Sequence, residues 1–499
     1  MENKYGLPDD HLFTYDKIIA LLEECMGKTL GEVDKNHVFD KTKTNPKITG
    51  IAGDVVEQSI LGYKPDSDQR PDILIDDVPT EVKTTGIRYS KKKGQEGTYE
   101  AKEPMSITAV SPKTIVDEEF QGSHFYQKLA HMLLVYYLYA SNVTVEAKDY
   151  AKFYLKSYEL HEFNDEDTNR LQSDWEIVRD FIREIQNNYS DPESQYPRIS
   201  SELRDRLMYV DTAPKWPNSP RFRLKRSVVT SIVRDHFDKK LEVLPDKIDN
   251  FAEFDKKLHD ITKLYKGKTV EELVKYFNIK YKDINKLNKA IAEQIVIKMF
   301  GGKSKKINQI DLFEKVGIIA KTICLSSKGG RTEDMKLFSI DFNEWCSDIK
   351  FEESFCYDYF MNHQFLCIIF KEKDKNQNFK DNKFLGFKRI SYSGDFIDNT
   401  VQKVWNEIRD LVINKELKET IVLNKEGNSI INETGVVSTS LNFPKSSEFD
   451  IFVRGSGIDS TKKPLKLNGI DMYEQCLWVK GNYVVSELSK KELLWRLKD

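Results

Sequence analysis

Three short patterns recur in the same order along this chain, and a chain that repeats itself in this way has to build one supersecondary unit twice. Gly27-Lys28-Thr29-Leu30-Gly31-Glu32 returns 240 residues on as Gly267-Lys268-Thr269-Val270-Glu271-Glu272. Ala52-Gly53-Asp54-Val55-Val56-Glu57-Gln58 returns loosely as Lys289-Ala290-Ile291-Ala292-Glu293-Gln294. Its Glu-Gln pairs are 236 residues apart, and a glycine, Gly62 or Gly301, closes each amphipathic run. Trp175, in Leu171-Gln172-Ser173-Asp174-Trp175-Glu176-Ile177, is echoed 230 residues later by Trp405. The offset drifts as loop insertions would make it drift. The chain therefore reads as two related α/β lobes, residues 1–238 and 239–499, joined near the charged stretch 238–249 around Pro245.

With 499 residues, each lobe is long enough to bury its own core. Lys and Arg number 77 and Asp and Glu 80, a net charge of −3, so a polyanion has to meet a local patch rather than a basic coat. The longest nearly apolar run, 129–140, contains His131 and falls short of the roughly 20 residues that a membrane helix needs. Met1-Glu2-Asn3-Lys4-Tyr5 lacks the basic start and apolar stretch of a secretory signal. The six cysteines form no CxxC pair, which argues against a zinc site or a disulfide framework and makes the cytoplasm the expected setting. HExxH, GxxxxGK[ST] and GxSxG motifs are absent, so zinc hydrolysis, nucleotide-driven chemistry and serine hydrolysis have no sequence support.

The segment that carries chemistry is Arg70-Pro71-Asp72-Ile73-Leu74-Ile75-Asp76-Asp77-Val78-Pro79-Thr80-Glu81-Val82-Lys83-Thr84. It reads as a hairpin: an apolar strand, a turn at Asp76-Asp77, and a second strand from Thr80. Strand alternation puts Glu81 and Lys83 on one face with Val82 directed into the core, and pairing across the turn brings Asp72 beside Glu81. Two carboxylates and the intervening Val82 carbonyl are hard oxygen ligands suited to Mg²⁺. An adjacent lysine can orient water and offset charge on phosphorus. Those parts belong to phosphodiester hydrolysis. The tripeptide alone decides nothing, because Glu100-Ala101-Lys102, Glu146-Ala147-Lys148, Asp348-Ile349-Lys350 and Glu416-Leu417-Lys418 share it, and such a pattern is ordinarily a solvated charged face. The preceding Pro-Asp and the strand-turn-strand context set this copy apart.

Pro71-Asp72 and Glu81-Val82-Lys83 resemble the MutH-type nicking endonucleases of mismatch repair. So do Gly50-Ile51-Ala52-Gly53-Asp54-Val55-Val56-Glu57, Ser123-His124-Phe125-Tyr126-Gln127-Lys128-Leu129, Asp174-Trp175-Glu176 and Phe222-Arg223-Leu224-Lys225-Arg226-Ser227. Together they cover most of residues 20–236. The two-lobed length is more similar to the type II restriction enzymes related to MutH that cut at GATC. The resemblance implies a PD-(D/E)xK core in which Asp72 and Glu81 ligate metal and Lys83 is catalytic. It further implies an auxiliary role for Glu57 and a phosphate or water contact by Lys128. Glu57 has a second reading as a solvated helix residue, and Lys128 as a side chain snorkelling beside an apolar run. His124 and His131 are read as structural.

In the second lobe, Asp311 and Lys321 stand at the offsets of Asp72 and Lys83, but Ile319 occupies the position of Glu81 and no lysine between Phe355 and His363 matches Lys128. That lobe is read as a degenerate, catalytically inert repeat. Lys215, Arg221, Arg223, Lys225 and Arg226, with no acidic residue among them, form a candidate phosphate-tracking strip. The loop Tyr89-Ser90-Lys91-Lys92-Lys93-Gly94-Gln95 is a second candidate. Phe449-Asp450-Ile451-Phe452-Val453-Arg454-Gly455 resembles the element with which the MutH family reads bases, and the fork of Arg454 suits guanine O6 and N7. The first-lobe counterpart has Val210-Asp211 there.

The expectation is thus a Mg²⁺-dependent type II restriction endonuclease of a restriction-modification system. It would act on double-stranded DNA, at GATC by resemblance, as a dimer or by pairing the lobes of one chain. The second lobe would bind DNA and regulate. A methyl-directed repair nickase, which needs only one lobe, and a DNA-binding protein with an inert nuclease fold are the alternatives.

Overall fold

The structure, a computed structural model, describes residues 7–490 apart from 65–68, 91–96, 142–144, 215, 238–239, 331, 375–376, 458 and 460. In chain order the first strands are β1 (Leu12–Phe13), β2 (Ile73–Ile75), β3 (Val78–Tyr89), β4 (Tyr99–Ala101), β5 (Met105–Ala109), β6 (Met132–Leu138), β7 (Tyr154–His161), β8 (Val210–Asp211) and β9 (Arg221–Leu224). Asp76 and Asp77 take left-handed backbone angles (φ 46° and 66°), which short Asp side chains tolerate and a two-residue reversal between twisted strands requires. The expected hairpin therefore forms between β2 and β3, in the register Ile73↔Thr80, Leu74↔Pro79 and Ile75↔Val78.

That hairpin lies within a mixed sheet ordered β1-β2-β3-β6-β7, with β4 pairing to the far end of β3. β3 and β6 run parallel, and β6 and β7 antiparallel. Met132 to Tyr136 are all buried, the near-continuous apolar run expected of a strand covered on both faces. Gly86 on β3 has a steric reason to be glycine, since a Cβ there would meet the Tyr137 hydroxyl at 2.7 Å. Helix Tyr15–Cys25 and the helical stretch Ile51–Leu61 lay Ile18, Leu22, Val55 and Ile60 against Ile73, Val82, Leu133 and Val135. A second sheet, β5-β9-β8, is antiparallel throughout.

The remaining strands are β10 (Ile318–Leu325), β11 (Met335–Ser339), β12 (Gln364–Lys371), β13 (Lys383–Ile390), β14 (Glu419–Ile421), β15 (Thr439–Leu441), β16 (Ile451–Ser456), β17 (Leu465–Leu467), β18 (Ile470–Met472) and β19 (Glu474–Val479). β10-β12-β13 repeats the parallel-then-antiparallel order of β3-β6-β7, and β11-β19-β16 repeats that of β5-β9-β8. Local devices recur as well. Thr29 and Glu32 bond reciprocally, the Thr29 amide to Glu32 Oε2 at 2.7 Å and the Glu32 amide to Thr29 Oγ1 at 3.2 Å. Thr269 and Glu272 reproduce both distances. Ser123 caps helix His124–Ala130 by accepting from the Tyr126 amide, and Ser354 caps Phe355–Met361 by accepting from that of Tyr357, both at 3.1 Å. Trp175 packs on Phe120 as Trp405 packs on Phe351.

Two compact units result. One comprises Met1–Ser141, Val145–Lys256 and Asn308–Gly317, the other chiefly Lys257–Ile307 and Ile318–Asp499. The first unit thus runs past residue 238 and takes back a short piece of the later sequence. Among the described residues no helix is long and apolar enough to cross a membrane.

Candidate active site

The β2–β3 ladder ends at Ile73↔Thr80, so Asp72 and Glu81 lie one residue beyond it and the strands are free to part there. The Glu81 amide bonds to the His131 carbonyl on the β6 side at 3.0 Å. Strand geometry then turns the amide and the carbonyl of Val82 the other way, toward Asp72. Asp72 Oδ2 accepts from that Val82 amide at 2.9 Å. The Val82 side chain is buried in the core, and Glu81 and Lys83 share the opposite face.

Glu81 is 1% exposed and holds two lysines. Lys83 Nζ donates to Oε1 at 2.5 Å, and Lys128 Nζ lies 2.9 Å from both carboxylate oxygens. Lys128 is buried on helix His124–Ala130 rather than snorkelling to solvent, and its partner is the carboxylate. Glu57 sits at the start of a π-helical stretch, Val56–Leu61, an irregularity frequent at functional sites. It is half-buried rather than solvated.

Electrostatics bind these groups into one site. Burial, and then the charges of Asp72 and Asp54, push the Glu57 carboxyl up to about 7. Burial and the neighbouring Glu81 raise Asp72 to about 6. For Lys83 burial disfavours the charge, yet Glu81, Asp72 and Glu57 outweigh it and hold the pKa above the usual lysine value. Burial and mutual repulsion thus disfavour the charged forms of both carboxyls, a cost that a bound cation would offset. Asp72, Glu81 and the Val82 carbonyl supply hard oxygen donors in a number that leaves room for water, which suits Mg²⁺. Among the described residues no group of three or more His, Cys, Asp or Glu side chains is gathered as a metal cage.

One residue of this region, His11, carried no sequence signal. His11 donates from Nδ1 to the Asp72 carbonyl at 2.6 Å. Asp174, within a motif already singled out, is fully buried and accepts from the amides of Met208, Tyr209 and Val210 at 2.8, 2.6 and 3.0 Å, fixing the entry to β8. Burial raises its carboxyl to about 6.

The second unit keeps the frame of this site but not its chemistry. Glu81 pairs with Met132 and Ile319 with Phe365, while Lys83 pairs with Leu134 and Lys321 with Cys367. Tyr359, five residues after the capping Ser354, stands where Lys128 stands after Ser123. Lys321 Nζ donates to the Lys336 carbonyl at 2.7 Å, and burial lowers its pKa to about 8. The expectation for Asp311 is corrected. It belongs to no hairpin but opens helix Asp311–Lys315 in the first unit, ion-paired to Lys315 at 3.0 Å. The chain leaves the second unit where a β2-like strand would be needed.

The basic strip also needs correction. Lys225 is buried and donates to the Leu207 carbonyl at 2.5 Å. Arg226 binds the Ala101 carbonyl and Glu100, both at 2.7 Å. Arg223 forks onto Asp211 at 2.7 and 3.1 Å. These three serve the fold, and Arg221 is left exposed. Lys215 and the lysines of 91–93 lie outside the described residues. Arg454, on β16, projects between the rings of Phe452 and Trp478 (5.0 and 5.1 Å to the centroids), with Nη2 2.7 Å from Asp334. Register places Ala213, just beyond β8, at the equivalent position of the first unit.

Residues 61–174 match the sequence model of a family described as the DNA mismatch repair enzyme MutH, a span that holds Asp72, Glu81, Lys83 and Lys128. The type II restriction enzyme Sau3AI of Staphylococcus aureus is 25% identical over 505 aligned positions, covering 93% of this chain and 96% of its own. The first match spans the strands that bear the site and the second reaches across both units. The chain is thus similar to the MutH family over the strands that bear the site, and to a type II restriction enzyme along nearly its whole length.

Proposed function

We propose that this chain hydrolyses phosphodiester bonds of double-stranded DNA at a short specific site with Mg²⁺ as cofactor, GATC being the site that the family resemblance implies. The observation that carries this reading is the meeting of Asp72 and Glu81 across Val82, with Lys83 and Lys128 on the Glu81 carboxylate. Asp72, Glu81 and the Val82 carbonyl would hold the ion, which when bound supplies Lewis-acid polarisation and a more acidic water. The chain's own residues do the rest. Lys83, kept as an ammonium by the carboxylates around it, orients the attacking water and offsets charge as it builds on phosphorus. Lys128, bonded to both of its carboxylate oxygens, keeps Glu81 aimed. Glu57 adds negative charge on the side of Asp72 and serves as an auxiliary group.

The second unit is a degenerate repeat that binds DNA without cutting it. In support, the capping pairs and strand order recur while Ile319 and Tyr359 replace Glu81 and Lys128. Arg454 is its base-reading side chain. A nickase has no use for this second unit, which favours the restriction enzyme. Plasmids of each adenine- and cytosine-methylation state, incubated with and without Mg²⁺ and with sequencing of the ends, test the reading. Discrete Mg²⁺-dependent ends at one sequence, lost in Asp72→Ala, are expected. Intact plasmid under every condition would leave a DNA-binding protein without nuclease activity.

A further inference from the structure

Asp72 lies just past the end of its ladder, and Glu57 lies in an irregular helix, so neither carboxylate is placed by regular secondary structure alone. One contact path joins their backbones. His11, 3% exposed, closes a short helical turn (Asp9–His11) ahead of β1, which pairs with β2 as Leu12↔Leu74 and Phe13↔Ile75. Its Nδ1 is 2.6 Å from the Asp72 carbonyl, and a carbonyl only accepts, so Nδ1 carries the proton. The imidazole packs on the ring of Tyr63, with centroids 4.4 Å apart. The Tyr63 amide donates to the Glu57 carbonyl at 3.2 Å, and the Gly62 amide to the same oxygen at 2.8 Å. Gly62 makes this turn possible with a φ of 85°. The order is thus Glu57 backbone, Tyr63, His11, Asp72 backbone.

We infer that His11, braced by Tyr63, is a positioning residue that sets Asp72 relative to Glu57 and so tunes how tightly the site holds its cation. Packing alone does not call for histidine. A phenylalanine would fill the space against Tyr63 equally well, whereas the ring nitrogen is what engages Asp72. The inference rests on the nuclease reading of the site, and its test separates the two.

His11→Phe keeps the ring and removes the bond, while His11→Gln restores a donor. Mn²⁺ binding to the full chain without DNA is measured by calorimetry, together with kcat, KM for DNA and urea unfolding. A group supporting a metal ligand from behind typically contributes about 10–100-fold in affinity or activity. His11→Phe is expected to weaken Mn²⁺ binding and lower kcat within that range with KM for DNA unchanged, and His11→Gln to recover most of both. Wild-type Mn²⁺ affinity in a folded His11→Phe chain overturns the inference, as does a loss that His11→Gln leaves uncorrected. If His11→Phe does not fold, Tyr63→Leu carries the test, and unchanged Mn²⁺ affinity there overturns it too. Should wild type and Asp72→Ala bind Mn²⁺ alike and neither cut DNA, the nuclease reading itself fails. Asp72-dependent binding that ignores His11 defeats only the positioning role.

Discussion

Lys128 Nζ is equidistant, at 2.9 Å, from the two carboxylate oxygens of Glu81, a residue 47 positions earlier in the chain and almost wholly buried. Removing one partner of a buried ion pair costs about 3–5 kcal/mol, because the other charge is left behind. Lys83 still contacts Glu81 and softens that loss. Lys128→Ala is therefore expected to lower stability by about 3 kcal/mol and to abolish cleavage. Urea unfolding beside a plasmid assay checks both. A fully stable variant that has lost activity would make Lys128 purely a catalytic contact.

Glu57 and Asp72 contribute to the pH response of the metal-free chain, with the buried Asp174 acting in the same direction. The folded values of Glu57 and Asp72, about 7 and about 6, lie above the ordinary 4.5 and 3.8. A raised pKa means that the folded state binds more protons, so stability from these groups is fully present below pH 4 and lost as pH rises toward 7. A metal bound by these carboxylates would reverse the trend, since its ligands must deprotonate. Unfolding from pH 4 to 8 should show declining stability without Mg²⁺, and Glu57→Gln should flatten the slope. Calorimetry in two buffers of different ionisation heat should record proton release on Mg²⁺ binding near pH 6.5.

The parts of the site that were legible in the sequence were those encoded locally. Asp76-Asp77 announced a reversal, and alternation from Thr80 placed Glu81, Val82 and Lys83 on their proper faces. Charge without partners misled. Lys225 and Arg226 looked like free cations because the Leu207 carbonyl and Glu100, which occupy them, lie 18 and 126 residues away. Asp311 matched Asp72 by offset only, an offset that holds across a repeat until the chain leaves the sheet, as it does at Asn308. His11 was invisible because a two-residue strand has no periodicity to read.

For DNA contact, Arg221 and Arg226 now have opposite expectations. Arg221 is exposed on β9, so Arg221→Ala should weaken DNA binding at all sequences and reduce the salt slope by about 0.9. Arg226→Ala should leave the slope unchanged and instead destabilise the fold, since buried Glu100 would lose the guanidinium 2.7 Å from its carboxylate. Fluorescence anisotropy across a salt series distinguishes the two. A changed slope for Arg226→Ala would return it to the DNA-contacting strip.

Arg454 is held by Asp334, whose other oxygen accepts from the Gly481 amide at 3.0 Å. DNA engaging this arginine has to compete with that carboxylate. Asp334→Asn keeps an acceptor for Gly481 but releases charge, so it should tighten target binding several-fold, while Arg454→Ala should weaken it. Binding to target and scrambled duplexes in Ca²⁺ measures both. Equal affinity of Asp334→Asn and wild type would mean that the pair does not restrain Arg454.

The first unit depends on a piece of the later sequence, Asn308–Gly317. Lys315 Nζ is 2.8 Å from Asp167, whose carboxylate also accepts from Arg170 at 3.0 Å and from the Tyr209 hydroxyl at 2.6 Å. Burial works against the Asp167 charge, but Lys315 and Tyr209 outweigh it and hold the carboxyl below its ordinary value. Arg234 pairs with Glu314, and the Ser227 hydroxyl donates to the Lys315 carbonyl at 2.7 Å. A fragment ending at residue 238 removes Glu314 and Lys315 together and leaves Arg234 and Asp167 short of buried partners, a loss of about 3–5 kcal/mol per pair. That fragment should therefore unfold at a much lower urea concentration than residues 1–256 joined by a Gly-Ser linker to residues 306–317. In the full chain, Lys315→Met should reproduce part of the deficit without touching Asp72 or Glu81. Equal urea midpoints for the two fragments would show that Asn308–Gly317 is dispensable to the first unit.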